Sequence, residues 1–330
     1  MRRIKDKKGV TLVELMITLV IFAVVISMIY SVFNAFIKQA TAERKTAKTE
    51  MDVINVAWPM LKEIETAGFG VPKYSCSSTT QCACGLTVAD RDSDGVNDLI
   101  IHSTAASDDQ DAGKWSYIGT SGSTCTVTNM YASTSNDLVV INNTDKSHLG
   151  AVTVNASNEL SSCGSKATNI AYWIPSTSYE CYETTYSLQP YASGTRPAIC
   201  EPNTRRLARS VQTDNTPYFA TMLDCVFGAD SSTPADLGVN YRFGCISSSG
   251  SLTWQAGTDC GTSKLRLVKI GFIVQSSSRR DVLSTTPITL FEGLRDSVGN
   301  SLAVAIDLTT DQRYYKWRKV EQTITLKNLE

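Results

Sequence analysis

Residues 10–37 read VTLVELMITLVIFAVVISMIYSVFNAFI, and the organisation of the chain turns on this stretch. It holds one charged residue, Glu14, and neither proline nor glycine. Residues 15–37 are 23 consecutive positions without a charge. Coiled as an α-helix at ~1.5 Å per residue, they cross a hydrocarbon layer of about 30 Å. The preceding MRRIKDKKG carries five basic side chains and one acid, so the positive-inside rule keeps the N-terminus cytoplasmic and sends everything after residue 37 outward. A secretory signal would have a shorter apolar run and a small-residue cleavage site. Here the run leads into KQATAERKTAKTEMD, which is charged and helix-favouring. A plain signal anchor leaves Glu14 unexplained, because a charge in mid-membrane costs about 2.5–3.5 kcal/mol. Cutting the chain after Gly9 would give Val10 a free ammonium close to Glu14, a ready counter-charge in the same or a neighbouring subunit.

The run from Lys7 to Met16, KKGVTLVELM, resembles the class III signal of type IV prepilins and pseudopilins. That resemblance implies a peptidase cut between Gly9 and Val10, N-methylation of Val10, and a part for Glu14 in subunit docking. Val10 stands where the family usually has phenylalanine, and the proline that kinks many such helices is missing. The implied fold is α+β, the type IV pilin fold. A long N-terminal helix, membrane-spanning in its first half, packs on an antiparallel β-sheet with long disulfide-stapled loops. The organisation expected is a leader (1–9), a membrane and filament-core helix (10–37), its amphipathic continuation (38–68) and an extracytoplasmic β-rich domain (69–330). Implied partners are other minor and major pilins, the prepilin peptidase, an inner-membrane assembly platform and membrane lipid. The implied location is the bacterial inner membrane, single pass with the C-terminal domain periplasmic, and then the pilus at the cell surface.

Beyond residue 37 the pattern turns amphipathic. Met51, Ile54, Ala57 or Trp58, Leu61 and Ile64 recur at three- and four-residue steps, an apolar face expected to pack on the sheet. Lys48, Glu50, Asp52, Lys62, Glu63 and Glu65 occupy the face expected in solvent. Pro59 should kink or reset this helix, and Gly68, Gly70 and Pro72 should end it, giving a helix from about Val10 to Ala67, ~85 Å long.

After residue 70, Ser, Thr, Gly, Asn and Asp dominate. Short β-rich runs interrupt them at 99–101, 138–141, 170–174, 265–274 and 323–326. Such spacing predicts an antiparallel sheet with long loops, with at most one short helical pattern near Leu207–Ser210. Several pieces resemble the PilW family of minor pilins: WPMLKEIETAGFG (58–70), NDLII (97–101), LARS (207–210), LDCVFGAD (223–230), RLVKIGFIVQS (266–276) and WRKVEQTITLKN (317–328). Residues 105–200 match poorly. The resemblance implies a low-abundance subunit that initiates or tips a pilus. The alternatives are a J-like minor pseudopilin of type II secretion, a pilus-tip adhesin using residues 105–200, and a membrane-anchored binding protein that is never assembled.

All ten cysteines lie between positions 76 and 260 (Cys76, Cys82, Cys84, Cys125, Cys163, Cys181, Cys200, Cys225, Cys245, Cys260), beyond the membrane segment. With only His102 and His148 to accompany them, disulfides are expected rather than a zinc site, and the pairing is not legible in the sequence. The run DRDSDGVND (90–98) matches the first nine positions of a calcium loop: oxygens from Asp90, Asp92, Asp94 and Asp98, and the carbonyl of Val96. Calcium is therefore the candidate ion. The twelfth position, normally a bidentate Glu, is Ile101, and an apolar strand follows directly; the competing reading is an acidic turn. No hydrolase, zincin, Walker or Rossmann motif occurs, so an enzyme is not expected. His102 and His148 read as surface or strand residues. The pairs Arg205-Arg206 and Arg279-Arg280 read as solvated loops, and the mildly acidic outer region, with 26 basic and 31 acidic residues after position 9, offers no nucleic-acid footprint.

Overall fold

The computed structural model describes residues 11–71, 85–90, 96–105, 112–128, 137–144, 148–160, 163–174, 181–212, 218–228, 239–276, 283–284 and 286–328. One helix, α1, runs from Leu12 to Glu65, and Pro59 lies within it without ending it. The helix continues through it: proline removes one backbone donor, but the turns on both sides are held by side chains packed on the sheet. The chain divides between Glu50 and Met51 into two compact units. The first, where described, is helix throughout after Thr11.

The second unit begins with the end of α1 and then, among the described residues, builds sixteen strands. These are β1 Leu86–Ala89, β2 Asp98–Ser103, β3 Trp115–Ser121, β4 Thr124–Thr128, β5 Asp137–Ile141, β6 His148–Thr153, β7 Ile170–Trp173 and β8 Tyr182–Gln189, followed by β9 Thr204–Gln212, β10 Tyr218–Phe227, β11 Asn240–Ile246, β12 Leu252–Gln255, β13 Lys264–Gln275, β14 Ile288–Leu290, β15 Val304–Ile306 and β16 Trp317–Thr325. Nine form the main sheet, in the order β1-β2-β8-β9-β10-β13-β11-β12, with β16 added on β13. Strands β4-β3-β7-β5-β6 form a second sheet, and β14-β15 a hairpin. Every pairing among the described strands is antiparallel. The α+β architecture of a long helix packed on an antiparallel sheet is thus present. The 105–200 region adds a whole sheet with its own core, around Ile118, Leu138, Val140, Ala171 and Trp173.

The period-2 alternation of strands explains the main core. Leu99 and Ile101 of β2, Tyr186 and Leu188 of β8, Val268, Ile270, Phe272 and Val274 of β13, and Val320 and Ile324 of β16 all fall on one face. Against that face α1 presents Val56, Met60 and Ile64, with Ala67 just beyond its end. Burying each large side chain stabilises the pair by about 1.5–3 kcal/mol. This is a rotation of the face read from the sequence. Ile64 is common to both, but Met51, Ile54 and Trp58 remain 68%, 66% and 64% exposed.

The reason lies partly in Glu63, assigned from the sequence to the solvated face. It sits at the sheet, where Arg209 Nε donates to its Oε1 and Oε2 at 3.0 and 3.1 Å and the Tyr186 hydroxyl donates to Oε2 at 2.6 Å. Burial, with the Glu63 charge second, raises the Tyr186 pKa far above its ordinary value, so the phenol stays neutral and donating. Arg209 comes from Leu207–Ser210, which is the middle of strand β9 and not a helix. Pairing on both sides, to β8 and to β10, overrides any local helical preference there.

Past Glu65 the chain turns through Gly68 and Gly70, both at positive φ. Gly70 is required twice over: its φ is +71°, and a Cβ there would lie 2.3 Å from Thr104 Oγ1. This tight turn seats the second sheet, since Phe69 meets the ring of Tyr172 edge-on at 5.0 Å and Ile141 approaches Gly70. The end of α1 is also tied to the C-terminus. Lys327 Nζ donates to Glu65 Oε2 at 3.0 Å and Asn328 Nδ2 to the Glu65 carbonyl at 3.2 Å.

Disulfides join Cys125 to Cys163, Cys200 to Cys225 and Cys245 to Cys260. Cys181 is also disulfide-bonded. The three loops closed span 38, 25 and 15 residues, which by loop-closure entropy corresponds to about 3–4 kcal/mol each.

Removing one partner of the Glu63–Arg209 pair should cost more than removing both. Arg209→Met leaves a buried carboxylate without its cation and should destabilise the domain by about 3–5 kcal/mol. Adding Glu63→Leu should recover most of that loss, as read from urea midpoints of the full chain in detergent. Equal destabilisation by the single and double variants would show that the pair does not hold α1 to the sheet.

Candidate functional site

The first unit carries the features that stand apart from ordinary globular packing. From Leu12 to Ile37 the large apolar side chains of α1 are exposed, Leu12 at 74% and Val25, the least exposed of them, at 45%. The helix is long and apolar enough to cross a membrane. Three of its hydroxyls are satisfied within the helix: Thr18 donates to the carbonyls of Glu14 and Leu15, Ser27 to that of Val24 and Ser31 to that of Met28. In an apolar medium that self-satisfaction is what makes a helix tolerable.

Glu14 is satisfied in the same way. The Thr11 amide and the Thr11 hydroxyl donate to Glu14 Oε2 at 3.0 and 3.1 Å, and the Glu14 amide donates back to Thr11 Oγ1 at 3.3 Å. This is a reciprocal capping box, with Thr11 as N-cap and Glu14 three residues on. A carboxylate in the first turn also meets the positive end of the helix dipole. The arrangement lowers the cost of carrying an acid at the head of an apolar helix, and it aims the carboxylate at the start of the chain rather than along the helix flank. Thr11 was not singled out from the sequence, although the T-x-x-E spacing was there to be read. Gly9 and Val10 lie outside the described residues.

The other candidates are dispersed. Asp90 follows β1 and Val96 is buried. Asp98 opens β2 at 1% exposure, paired in register with Ala89. Asp92 and Asp94 lie outside the described residues. Among the described residues no cluster of three or more His, Cys, Asp or Glu is placed to hold a metal. Cys76, Cys82 and Cys84 also lie outside them, and no described cysteine is free.

His102 is a buried strand residue whose Nε2 lies 3.1 Å from Glu183 Oε2, on the neighbouring strand β8. His148 opens β6. The Arg205-Arg206 pair is in strand β9, not a loop: Arg205 donates to the Leu188 carbonyl and Arg206 to Thr221 Oγ1. Arg279 and Arg280 lie outside the described residues.

Residues 4–30 match the family model for the prokaryotic N-terminal methylation motif. The match contains Gly9, Val10, Thr11 and Glu14, so the capping box and the apolar helix belong to one recognised N-terminal signal. It fits anchoring of the chain in a membrane.

A solved structure of a type IV-like pilin from Thermus thermophilus is similar over 85% of this chain and 98% of its own, at 10% identity and a TM-score of 0.35, a likeness too slight to carry weight. No curated protein matches the chain.

Thr11→Val removes both the cap and the hydroxyl donor to Glu14. It should lower local stability at the head of α1 by about 1 kcal/mol, seen as several-fold faster amide exchange at residues 12–14 with Thr11→Ser close to the parent. Unchanged exchange in Thr11→Val would mean that the box does not stabilise the helix start.

Proposed function

We propose that this chain is the precursor of a type IV pilin-like subunit that works by assembly and not by catalysis. One observation carries the reading: the head of a single 54-residue helix bears the methylation motif and an unburied apolar surface, and its last turns are packed into an antiparallel sheet domain. Such a helix has two successive environments that bury its apolar surface, a bilayer and then a bundle of like helices in a filament.

In this reading a peptidase cuts between Gly9 and Val10 and the Val10 amine is methylated. The Glu14 carboxylate, which Thr11 already holds at the helix start, is the counter-charge this reading assigns to that amine. The basic leader keeps residues 1–9 cytoplasmic, and the sheet domain with its disulfides lies in the oxidising periplasm. The finer assignment is a minor pilin resembling the PilW family, placed at the start or tip of the filament with other pilins. What supports it is the order of short matching segments between residues 58 and 328.

A pilus-tip adhesin is the second reading. The inserted sheet favours it, because Trp115 and Tyr117 on β3 are each more than two-fifths exposed and meet edge-on at 5.1 Å.

Mass and N-terminal sequencing of the protein from sheared pili should give a chain beginning at Val10, in trace amount; an uncleaved chain confined to membranes would leave an anchored binding domain instead. Glu14→Ala, still cleaved, should lower pilus number at least several-fold, and normal numbers would refute a docking role for Glu14. Deleting the subunit should remove pili. Normal numbers of non-adhering pili would favour the adhesin, and a secretion defect without pilus loss the pseudopilin.

A further inference from the structure

The outer face of the second sheet carries two aromatic side chains that its core does not use. Ile118, Val127, Ala171 and Trp173 point into that core. By the period-2 alternation of strands, Trp115, Tyr117 and Gly119 of β3 point the other way. Trp115 and Tyr117 stay 42% and 44% exposed. Their ring centroids lie 5.1 Å apart with the planes at 90°. The two rings therefore make a corner, one a floor and the other a wall, and not a flat patch.

Gly119 continues this face, and nothing in the fold asks for a glycine there. It sits inside strand β3 and is not among the glycines at positive φ. An added Cβ would lie 3.5 Å from Thr128 Cγ2 and 3.8 Å from Thr126 Oγ1, ordinary contact distances. A glycine weakens the strand that holds it, and one the backbone does not require marks a place where a ligand comes close. The register sets Thr128 opposite Tyr117 and Thr126 opposite Gly119. Beside the aromatic corner there is thus a shallow slot, floored by backbone and edged by two threonines. Thr128 donates its hydroxyl hydrogen to the Tyr117 carbonyl at 3.1 Å, so toward a ligand it accepts.

The chemistry of this face selects its occupant. No residue of β3, β4 or β7 is charged, which leaves nothing there to recognise a phosphate, a carboxylate or an ammonium. The open part of the two rings amounts to roughly 150–200 Å², taken from the ordinary size of aromatic side chains. A stable protein complex takes about 800 Å² from each partner. The occupant is therefore small, or one small unit of something long. A purely apolar ligand would cover the threonine edge without satisfying it. A ring that is apolar on its faces and hydroxylated around its rim meets both demands.

We propose that Trp115, Tyr117, Gly119, Thr126 and Thr128 form a binding site for a neutral hexopyranose unit of a polysaccharide. The C–H face of the sugar stacks on one ring and abuts the other, and its rim enters the slot over Gly119. Its hydroxyls donate to Thr128 and exchange hydrogen bonds with Thr126. For the source of the sugar, a surface outside the cell, this rests on the adhesin reading above; the site itself depends on the second sheet alone.

The test is fluorine NMR on the full chain, with 5-fluorotryptophan at its five tryptophans, in a detergent without a sugar headgroup. Trp115→Phe assigns the Trp115 line. Cellotetraose, maltotetraose, mannotetraose and chitotetraose are the neutral probes. At least one should shift the Trp115 line saturably and leave the lines of Trp58, Trp173, Trp254 and Trp317 in place. A galacturonic acid tetramer should not. Gly119→Val fills the slot and Tyr117→Ala removes one ring. Each should weaken binding about ten-fold or more, with the lines of the other tryptophans showing that the fold is kept.

No saturable shift with any neutral probe, an equal shift with the acidic tetramer, or undiminished binding in both variants would each overturn the proposal. A shift given by an oligoproline and by none of the sugars would assign the corner to a polypeptide and overturn it too. Adherence of cells bearing Tyr117→Ala scores the adhesin reading separately. Adherence equal to the parent, beside sugar binding by the parent chain in solution, would remove that reading and leave the site.

Discussion

Everything in the second unit depends on the seating of the last four turns of α1 on the main sheet. Val56, Met60 and Ile64 enter a core built from residues of eight strands, and the three side chains together account for about 5–9 kcal/mol of hydrophobic burial. The Glu63–Arg209–Tyr186 cluster then fixes which way the helix is turned, because a buried carboxylate must face its cation. Hydrophobic burial alone would accept several rotations of this helix; the ion pair accepts one.

That single choice has consequences on both sides of the helix. Toward β8 and β9 it makes a polar clasp. On the other side it leaves Ile54 and Trp58 uncovered. Past its end it places Gly68–Gly70 against Thr104 and Tyr172, where the second sheet docks. The disulfides act further out, on the loops and strand ends: β4 to the turn before β7, the loop before β9 to β10, and β11 to the loop before β13. They staple the domain's periphery and leave the helix contact to packing.

The two ends of α1 solve opposite problems by related means. At its head an acid is kept in an apolar setting by a cap that donates two hydrogen bonds to it. Near its tail an acid is buried under a sheet and met by arginine and tyrosine. In an apolar medium a helix has to satisfy its polar groups internally, and Glu14, Thr18, Ser27 and Ser31 of α1 are satisfied in that way.

Local signals were enough to read much of this protein. The apolar run, the basic leader and the T-x-x-E spacing are contiguous, so the helix, its membrane-spanning length and Glu14 were legible, and Thr11 was legible though not read. The strands at 99–101, 138–141 and 265–274 announced themselves by β-branched runs. Which residues of α1 are core was not legible. Apolar residues occupy more than half of its circumference after Val53, and the deciding partner, Arg209, lies 146 residues away. The same distance effect hid the burial of His102 with Glu183 and the strand identity of Arg205 and Arg206. It also hid the disulfide pairing, which depends on loops meeting in space. The sequence by itself determined that the chain has a helix long and apolar enough to cross a membrane and β-strands to pair after it, because both follow from the pattern of neighbouring residues. Tertiary structure alone decided which face of the helix is buried and which strands pair, because both depend on contacts between segments far apart in the chain.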